Sequence, residues 1–217
     1  MNIEEIKEIR DTHNKLMDHG ENFDLILQVF EKCITISDSP VLEIGTNMGG
    51  SSKCFLNVLS ANNKKNYFVG VDPYGSILYH NGGFIMKDSP YPNGKYHSAM
   101  KEINSFVGEK ELDYVHFKVT SKEFCDIIYP SIGIHNNGQT NKFNKFSFIF
   151  LDGSHDPEVV HQEMEFFQDK IETGCSMIVD DWDPAQHGHF IGEFLNRSKL
   201  TVGVTTHQRL VLDRING

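Results

Sequence analysis

Acidic side chains stand at or near the ends of four short apolar segments of this 217-residue chain. One acid at the end of a strand is often a helix cap or a solvated turn residue, but a set spread over several strand ends is harder to explain structurally. Carboxylates gathered in one place can bind a cation, accept hydrogen bonds from hydroxyl groups or take up protons. The acids are Glu43, Asp72, Asp152, Asp180 and Asp181.

A glycine-containing turn follows the first of these segments, Val41–Ile44. Gly45 and Gly49 lack side chains where the backbone must turn sharply and a ligand must come close. A turn that holds a dinucleotide normally reads G-x-G-x-x-G, whereas Asn47 stands here in place of the second glycine. Glu43 would also repel a pyrophosphate. The turn therefore favours a cationic ligand over a dinucleotide.

Asp152, Asp180 and Asp181 are candidate metal ligands. Three carboxylates that converge in one crevice repel one another and raise at least one pKa unless a cation is bound. Mg²⁺ or another hard divalent cation prefers oxygen ligands and keeps coordination positions for substrate oxygens. Such a cation would lower the pKa of a substrate hydroxyl and orient it. The alternative is that Asp180 or Asp181 only caps the segment that follows.

His155 lies three residues after Asp152 and carries a group that titrates near neutral pH. It is a candidate general base, although it could instead bind substrate or order the loop, and Asp152 could itself be the base. Trp182 could line a substrate pocket or belong to the core. His187 and His189 could extend the site towards a transition metal, but the start of a solvated helix is the simpler interpretation.

Short apolar segments alternate with amphipathic ones, which predicts strands and helices in alternation. Ser51 and Ser52 are the predicted N-caps of the helix after the glycine turn. The predicted strands cover residues 41–44, 67–72, 114–119, 146–152 and 174–181, followed by an antiparallel pair at 200–205 and 209–213. The predicted helices cover residues 2–18, 22–34, 51–59, 95–107, 122–129, 158–170 and 187–198.

This order predicts an α/β fold with a single, doubly wound, mostly parallel seven-stranded sheet, helices on both faces and an antiparallel C-terminal strand. Ligands of such sheets lie beyond the carboxyl ends of the strands, where the acids cluster. The length fits one domain over residues 1–217. Residues 1–36 form a predicted N-terminal helical extension, 73–94 a capping loop and 134–145 an exposed loop.

The composition narrows the possible partners. A net charge of -10 opposes non-specific binding to nucleic acid. The four cysteines lack C-x-x-C spacing, which favours reduced core thiols over a zinc cluster or disulfides. The charged N-terminus resembles neither a signal peptide nor a membrane span. We therefore expect a cytoplasmic protein with a small-molecule partner and no membrane partner, and the N-terminal helices could make it a homo-oligomer.

The glycine turn, Glu43 before it and Asp72 after the next strand resemble class I S-adenosylmethionine-dependent methyltransferases. The resemblance implies that S-adenosylmethionine (SAM) is the cofactor, because its ammonium and sulfonium groups suit an acidic turn. It implies that the two glycines line the methionine part and that Asp72 accepts the ribose hydroxyls. By the same resemblance, Glu43 and Ser51 bind the polar ends of the methionine part, and Thr120 or Ser121 reaches the adenine.

The later acids match the metal-ligand pattern of catechol-type and macrocin-type O-methyltransferases, and Asp152-Gly-Ser-His155 resembles the D-G-x-H signature of a broad group of small methyltransferases. The resemblance spans residues 41–181. It implies transfer of a methyl group to a hydroxyl of a small catechol, sugar or natural-product-like acceptor, with a divalent cation activating the hydroxyl. The chain departs from the catechol enzymes at His155, where they carry a lysine base.

Two other functions stay open. The chain could be a catalytically inactive SAM-binding or assembly module, although the complete acid set counts against this. It could also be a redox enzyme that binds iron through His155, His187 and His189. A nicotinamide dehydrogenase is disfavoured because the G-x-G-x-x-G turn is missing.

Overall fold

The computed structural model describes residues 23–75, 79–81, 84–86, 92–136, 139–206 and 208–215. The helix predicted at residues 2–18 lies outside these ranges, as does about half of the predicted capping loop at 73–94. Within that loop, two short strands pair with each other. The strands of the chain are β1 (Val41–Ile44), β2 (Phe68–Val71), β3 (Tyr79–Asn81), β4 (Phe84–Met86), β5 (Tyr114–Phe117), β6 (Gly133–Asn136), β7 (Gln139–Lys142), β8 (Phe146–Leu151), β9 (Ile171–Val179), β10 (Leu200–Thr205) and β11 (Leu210–Arg214).

A seven-stranded sheet with the order β10-β11-β9-β8-β1-β2-β5 forms the centre of the structure. Strands β5, β2, β1, β8 and β9 run parallel, while β11 is antiparallel to both β9 and β10. Residues of β1, β2 and β8 are buried throughout, as expected for short apolar strands covered on both faces. The predicted fold class is confirmed.

The helices α1 (Phe23–Ile36), α2 (Gly50–Ala61), α3 (Asn93–Lys110), α4 (Ser121–Glu123), α5 (Pro157–Phe167) and α6 (Pro184–Arg197) surround this sheet. Helix α1 packs on β8, β9 and α2, and α5 packs on α6. After α4 the chain continues as one turn of π-helix and one of 3₁₀-helix. Within the described ranges, no helix is both long and apolar enough to cross a membrane.

The segment predicted as an exposed loop at residues 134–145 contains a hairpin instead, formed by β6 and β7. Its sequence is rich in Asn and Gln and shows no alternation of apolar and polar residues. Strand pairing uses backbone groups, so a hairpin outside the main sheet needs no apolar face. Periodicity cannot detect such a strand.

A buried acid on α5 gives a testable pH dependence of stability. Glu163 is only 4% exposed, and burial raises its pKa from about 4.5 to about 7. Within the described part of the chain, neither carboxyl oxygen has a hydrogen-bond partner of good geometry. The folded state therefore keeps a proton that the unfolded chain releases, so stability falls as the pH rises from 4.5 to 7.

We expect Glu163→Gln to remove this fall, which amounts to up to about 3 kcal/mol. Urea unfolding of both proteins at pH 5 and pH 8 measures the difference. Between pH 5 and pH 8, the free energy of unfolding of the wild type should fall relative to that of the variant. Glu193→Gln, at an exposed position of α6, is the control and should run parallel to the wild type. If the free energies of unfolding of Glu163→Gln and the wild type changed equally with pH, Glu163 would not be the group responsible.

Candidate active site

The predicted acids meet at one edge of the sheet. The backbone N–H of Asp152 donates to the carbonyl of Ile44 at 2.8 Å, and the N–H of Asp180 donates to the carbonyl of Leu151 at 2.9 Å. These bonds continue the strand pairing of β1, β8 and β9 beyond the strand ends. The parallel arrangement therefore brings together carboxylates that lie more than a hundred residues apart in the sequence, as predicted.

The turn after β1 requires its glycines. Gly45 has a φ of 93°, and a Cβ atom on it would overlap the backbone carbonyl of Asp152. Gly49 has a φ of 76°, and a Cβ atom there would lie 2.7 Å from Cδ1 of Ile103. Asn47 also adopts a positive φ, of 45°, which asparagine tolerates better than most residues. The turn after β1 and the loop after β8 thus pack backbone against backbone.

The predicted N-caps are wrong. Helix α2 begins at Gly50 with Gly49 as its N-cap, and no side chain caps it. The hydroxyls of Ser51 and Ser52 donate instead to the carboxyl oxygens of Glu43. Glu43 is fully buried, and this burial raises its pKa to about 7, although the two hydroxyls act in the opposite direction. A buried carboxyl group is costly unless donors of this kind satisfy it.

Glu43 therefore differs from its predicted role in one respect. Its side chain is 0% exposed and accepts hydrogen bonds from the start of α2. It therefore connects strand β1 to the helix that follows the glycine turn. Direct contact with a cofactor would need this arrangement to change. The acid at this position supports the turn that would receive the cofactor.

Asp72, which follows β2, is hydrogen-bonded to the turn after β1. Its Oδ2 accepts the N–H of Asn47 at 2.9 Å and its Oδ1 accepts the N–H of Tyr74 at 3.0 Å. Burial raises the pKa of Asp72, and the backbone donors oppose that shift. Each carboxylate oxygen has a second lone pair, so both can still accept a hydroxyl. The residue is 7% exposed.

Tyr74 was not predicted as a site residue. It is 1% exposed, and its hydroxyl donates to the carbonyl of Asn47. Its ring packs edge-on against Tyr96 at 5.3 Å and tilted against His116 at 5.6 Å. The residue thus fixes the turn after β1 to the loop after β2. No sequence motif marks it, because its partners lie in other elements.

Thr120 and Ser121, the predicted adenine contacts, follow β5, which is the outermost strand on one side of the sheet. The hydroxyl of Thr120 accepts the N–H of Glu123 at 3.1 Å, and the carboxylate of Glu123 accepts the N–H of Thr120 at 2.8 Å. This reciprocal pair is a capping box. Thr120 therefore has a structural role at the start of α4, next to the position predicted for adenine.

The crevice formed by Asp152, Asp180 and Asp181 contains two protein cations or potential cations. The Nε of Arg209 lies 2.6 Å from Oδ1 of Asp180, and the Nδ1 of His155 lies 2.9 Å from Oδ2 of Asp181. Desolvation and the neighbouring acids hold the pKa of Asp152 well above its ordinary value. The hydrogen bond to Asp181 raises the pKa of His155.

Arg209 was also not predicted as a site residue. The sequence predicts an antiparallel pair at the C-terminus but does not say which of its strands lies beside β9. In the structure β11 does, with Leu210 opposite Val179, and Arg209 therefore lies opposite Asp180. The strand order is the only signal that could have identified this pair.

Among the described residues, no group of three or more His, Cys, Asp and Glu side chains has the arrangement of a metal site. The predicted ligands share one crevice, but two of them face Arg209 and His155.

Trp182 and His187, two residues with alternative predicted roles, pack against each other. The indole of Trp182 is 3% exposed and stacks on the ring of His187 with centroids 4.5 Å apart. The Nδ1 of His187 lies 3.0 Å from Nε2 of His161, which itself stacks on Phe190. These rings belong to the packing between α5 and α6. The contacts favour a structural role for His187 over an iron ligand.

Residues 42–182 match a family model described as a methyltransferase domain. The chain belongs to this family. The matched region runs from β1 to Trp182 and includes every predicted acid of this methyltransferase, while Arg209 lies beyond it. A search of curated protein sequences found no match.

Solved structures share the fold of the methyltransferase. The O-methyltransferase TomG from Streptomyces achromogenes, in complex with SAM, has 15% identity and a TM-score of 0.53 over 100% of this chain and 92% of that chain. PaMTH1 from Podospora anserina, bound to S-adenosylhomocysteine (SAH), has 12% identity and a TM-score of 0.56 over 99% and 89%. MycE from the mycinamycin pathway, in complex with Mg and SAH, has 14% identity and a TM-score of 0.56 over 98% and 54%.

Proposed function

We propose that this methyltransferase transfers a methyl group from SAM to a hydroxyl of a small acceptor. One observation carries the proposal. The buried carboxylate of Asp72 accepts the N–H of Asn47 in the glycine turn, so an acceptor of ribose hydroxyls lies directly beside that turn. The bound SAM of TomG and SAH of PaMTH1 support the same cofactor here.

The parts of the cofactor have separate candidate contacts. The turn that contains Gly45 and Gly49 would line the methionine part, and the first N–H groups of α2 can bind its carboxylate, because no side chain caps that helix. Asp72 would accept the ribose hydroxyls. Thr120 and Ser121 lie on the far side of β2, where the adenine would extend.

His155 is the proposed general base. A proton on Nδ1, donated to Asp181, leaves the lone pair of the neutral ring on Nε2. The acceptor hydroxyl would give its proton to Nε2 while its oxygen forms a bond to the methyl carbon. The bond between that carbon and sulfur breaks, and SAH leaves. Asp152 would hold the hydroxyl and is the alternative base.

The predicted divalent cation stays a prediction. Oxygen ligands suit Mg²⁺, and the structure of MycE contains Mg. However, Arg209 engages Asp180 and His155 engages Asp181, so the three carboxylates as arranged do not fit a cation bound by all of them. We assign no step of the reaction to a metal. The net charge of -10 supports a small acceptor over nucleic acid.

Calorimetry with SAM tests the cofactor. We expect the wild type to bind, and Asp72→Asn to bind at least about tenfold more weakly, because an amide loses acceptors for two charged hydrogen bonds. Asp113→Asn is the control, since Asp113 is exposed and precedes β5 at the opposite edge of the sheet. It should bind like the wild type. No binding at high micromolar SAM would contradict the proposal, and unchanged affinity of Asp72→Asn would contradict the ribose contact.

A further inference from the structure

We infer that Arg209 supplies, from within the chain, the positive charge that the acid crevice needs, in place of a divalent cation. This deepens the proposed function, since it concerns the same crevice, but its test does not depend on methyl transfer. It replaces the cation that the sequence predicts with a side chain from the last strand of the sheet.

The contact is that of a buried ion pair. The 2.6 Å between Nε of Arg209 and Oδ1 of Asp180 joins two side chains that are 4% and 11% exposed. A guanidinium group remains protonated in proteins, so its charge is permanent. Separating such a pair leaves a buried charge without compensation and is strongly unfavourable. A cation that bound Asp180 would have to pay that cost.

The backbone fixes Arg209 in this position. The N–H of Trp182 donates to the carbonyl of Gln208 at 2.8 Å, and the N–H of Thr206 donates to the carbonyl of Arg209 at 2.9 Å. The register of β11 against β9 adds a third constraint. The guanidinium is therefore delivered by the sheet itself, next to the loop that carries Asp180 and Asp181.

The remaining acids need less compensation as a result. Arg209 neutralises one of the three carboxylates, and Nδ1 of His155 lies 2.9 Å from Oδ2 of a second, Asp181. The mutual repulsion that would attract a divalent cation is correspondingly smaller.

Mn²⁺ titration followed by electron paramagnetic resonance tests the inference on the full chain without SAM or acceptor. We expect the wild type to bind no Mn²⁺ at concentrations up to about 1 mM, a limit that corresponds to very weak affinity. Arg209→Met should bind Mn²⁺ at least about tenfold more tightly and show a Tm that rises with Mn²⁺, because the acids have lost their counter-charge. Arg209→Lys keeps the charge and should behave like the wild type.

Two further variants secure the interpretation. Arg197→Met removes an exposed arginine of α6 and should bind no Mn²⁺. The double variant Arg209→Met with Asp180→Asn removes both charges and should fold and bind no Mn²⁺. If Arg209→Met does not fold, the wild-type titration decides. Micromolar binding of Mn²⁺ by the wild type, lost in Asp180→Asn, would overturn the inference and restore the metal. SAM is absent, so failure of the cofactor proposal would not affect these results.

Discussion

Gly45→Ala is expected to raise the Kd for SAM at least about a hundredfold and to lower the free energy of unfolding by about 2 to 5 kcal/mol. The φ of 93° costs alanine free energy by itself, and the new Cβ would overlap the carbonyl of Asp152. That oxygen belongs to the backbone of the loop after β8, so it cannot rotate away as a side chain could. Either the turn after β1 or the loop after β8 must move.

Gly108→Ala on α3 is the matched control. A Cβ at Gly108 meets no atom within 4 Å, and alanine favours a helix by up to about 1 kcal/mol. Its SAM affinity should equal that of the wild type, and its stability should be equal or higher. Calorimetry and urea unfolding measure both quantities. Gly45→Ala with unchanged stability and affinity would show that the two loops are not packed as described.

His155→Ala is expected to lower kcat by a factor of about 10² to 10⁴, the usual contribution of a general base, while the Kd for SAM changes little. The imidazole contacts Asp181 at 2.9 Å, whereas the glycine turn and Asp72 would hold the cofactor. A loss confined to kcat would therefore separate proton transfer from cofactor binding.

The rate of SAH production measures kcat. The acceptor is chosen from catechols, sugars and hydroxylated natural products as one that the wild type methylates. His189→Ala is the control, because His189 is exposed on α6 and has no role in the proposed methyl transfer. Unchanged kcat in His155→Ala would indicate that Asp152 is the base. A large loss of kcat in His189→Ala would instead favour the histidine-based redox alternative. A wild type that binds SAM but methylates none of these acceptors would favour the inactive module.

The architecture was predictable because each parallel strand is recognisable locally. The segment Phe146–Leu151 is apolar throughout and buried throughout, and an acid follows it directly. Boundaries moved by a few residues, as with α5, which begins at Pro157 because its N-cap is Asp156. The hairpin β6–β7 was missed because its polar sequence shows no periodicity.

The site was predictable only in part. The sequence correctly placed the acids along one edge, since parallel strands all end there. It missed Tyr74 and Arg209, and it assigned Ser51 to a helix cap although its hydroxyl donates to Glu43. Each of these contacts joins two elements, and side-chain type does not identify the partner.

The sequence by itself determined where the parallel strands end and that acids follow them, because these properties depend on neighbouring residues. Only the tertiary structure decided which charges compensate the acids. Strand β11 lies between β10 and β9, and this order places Arg209 against Asp180. A contact between strands depends on how the whole sheet is assembled, and no local pattern encodes it.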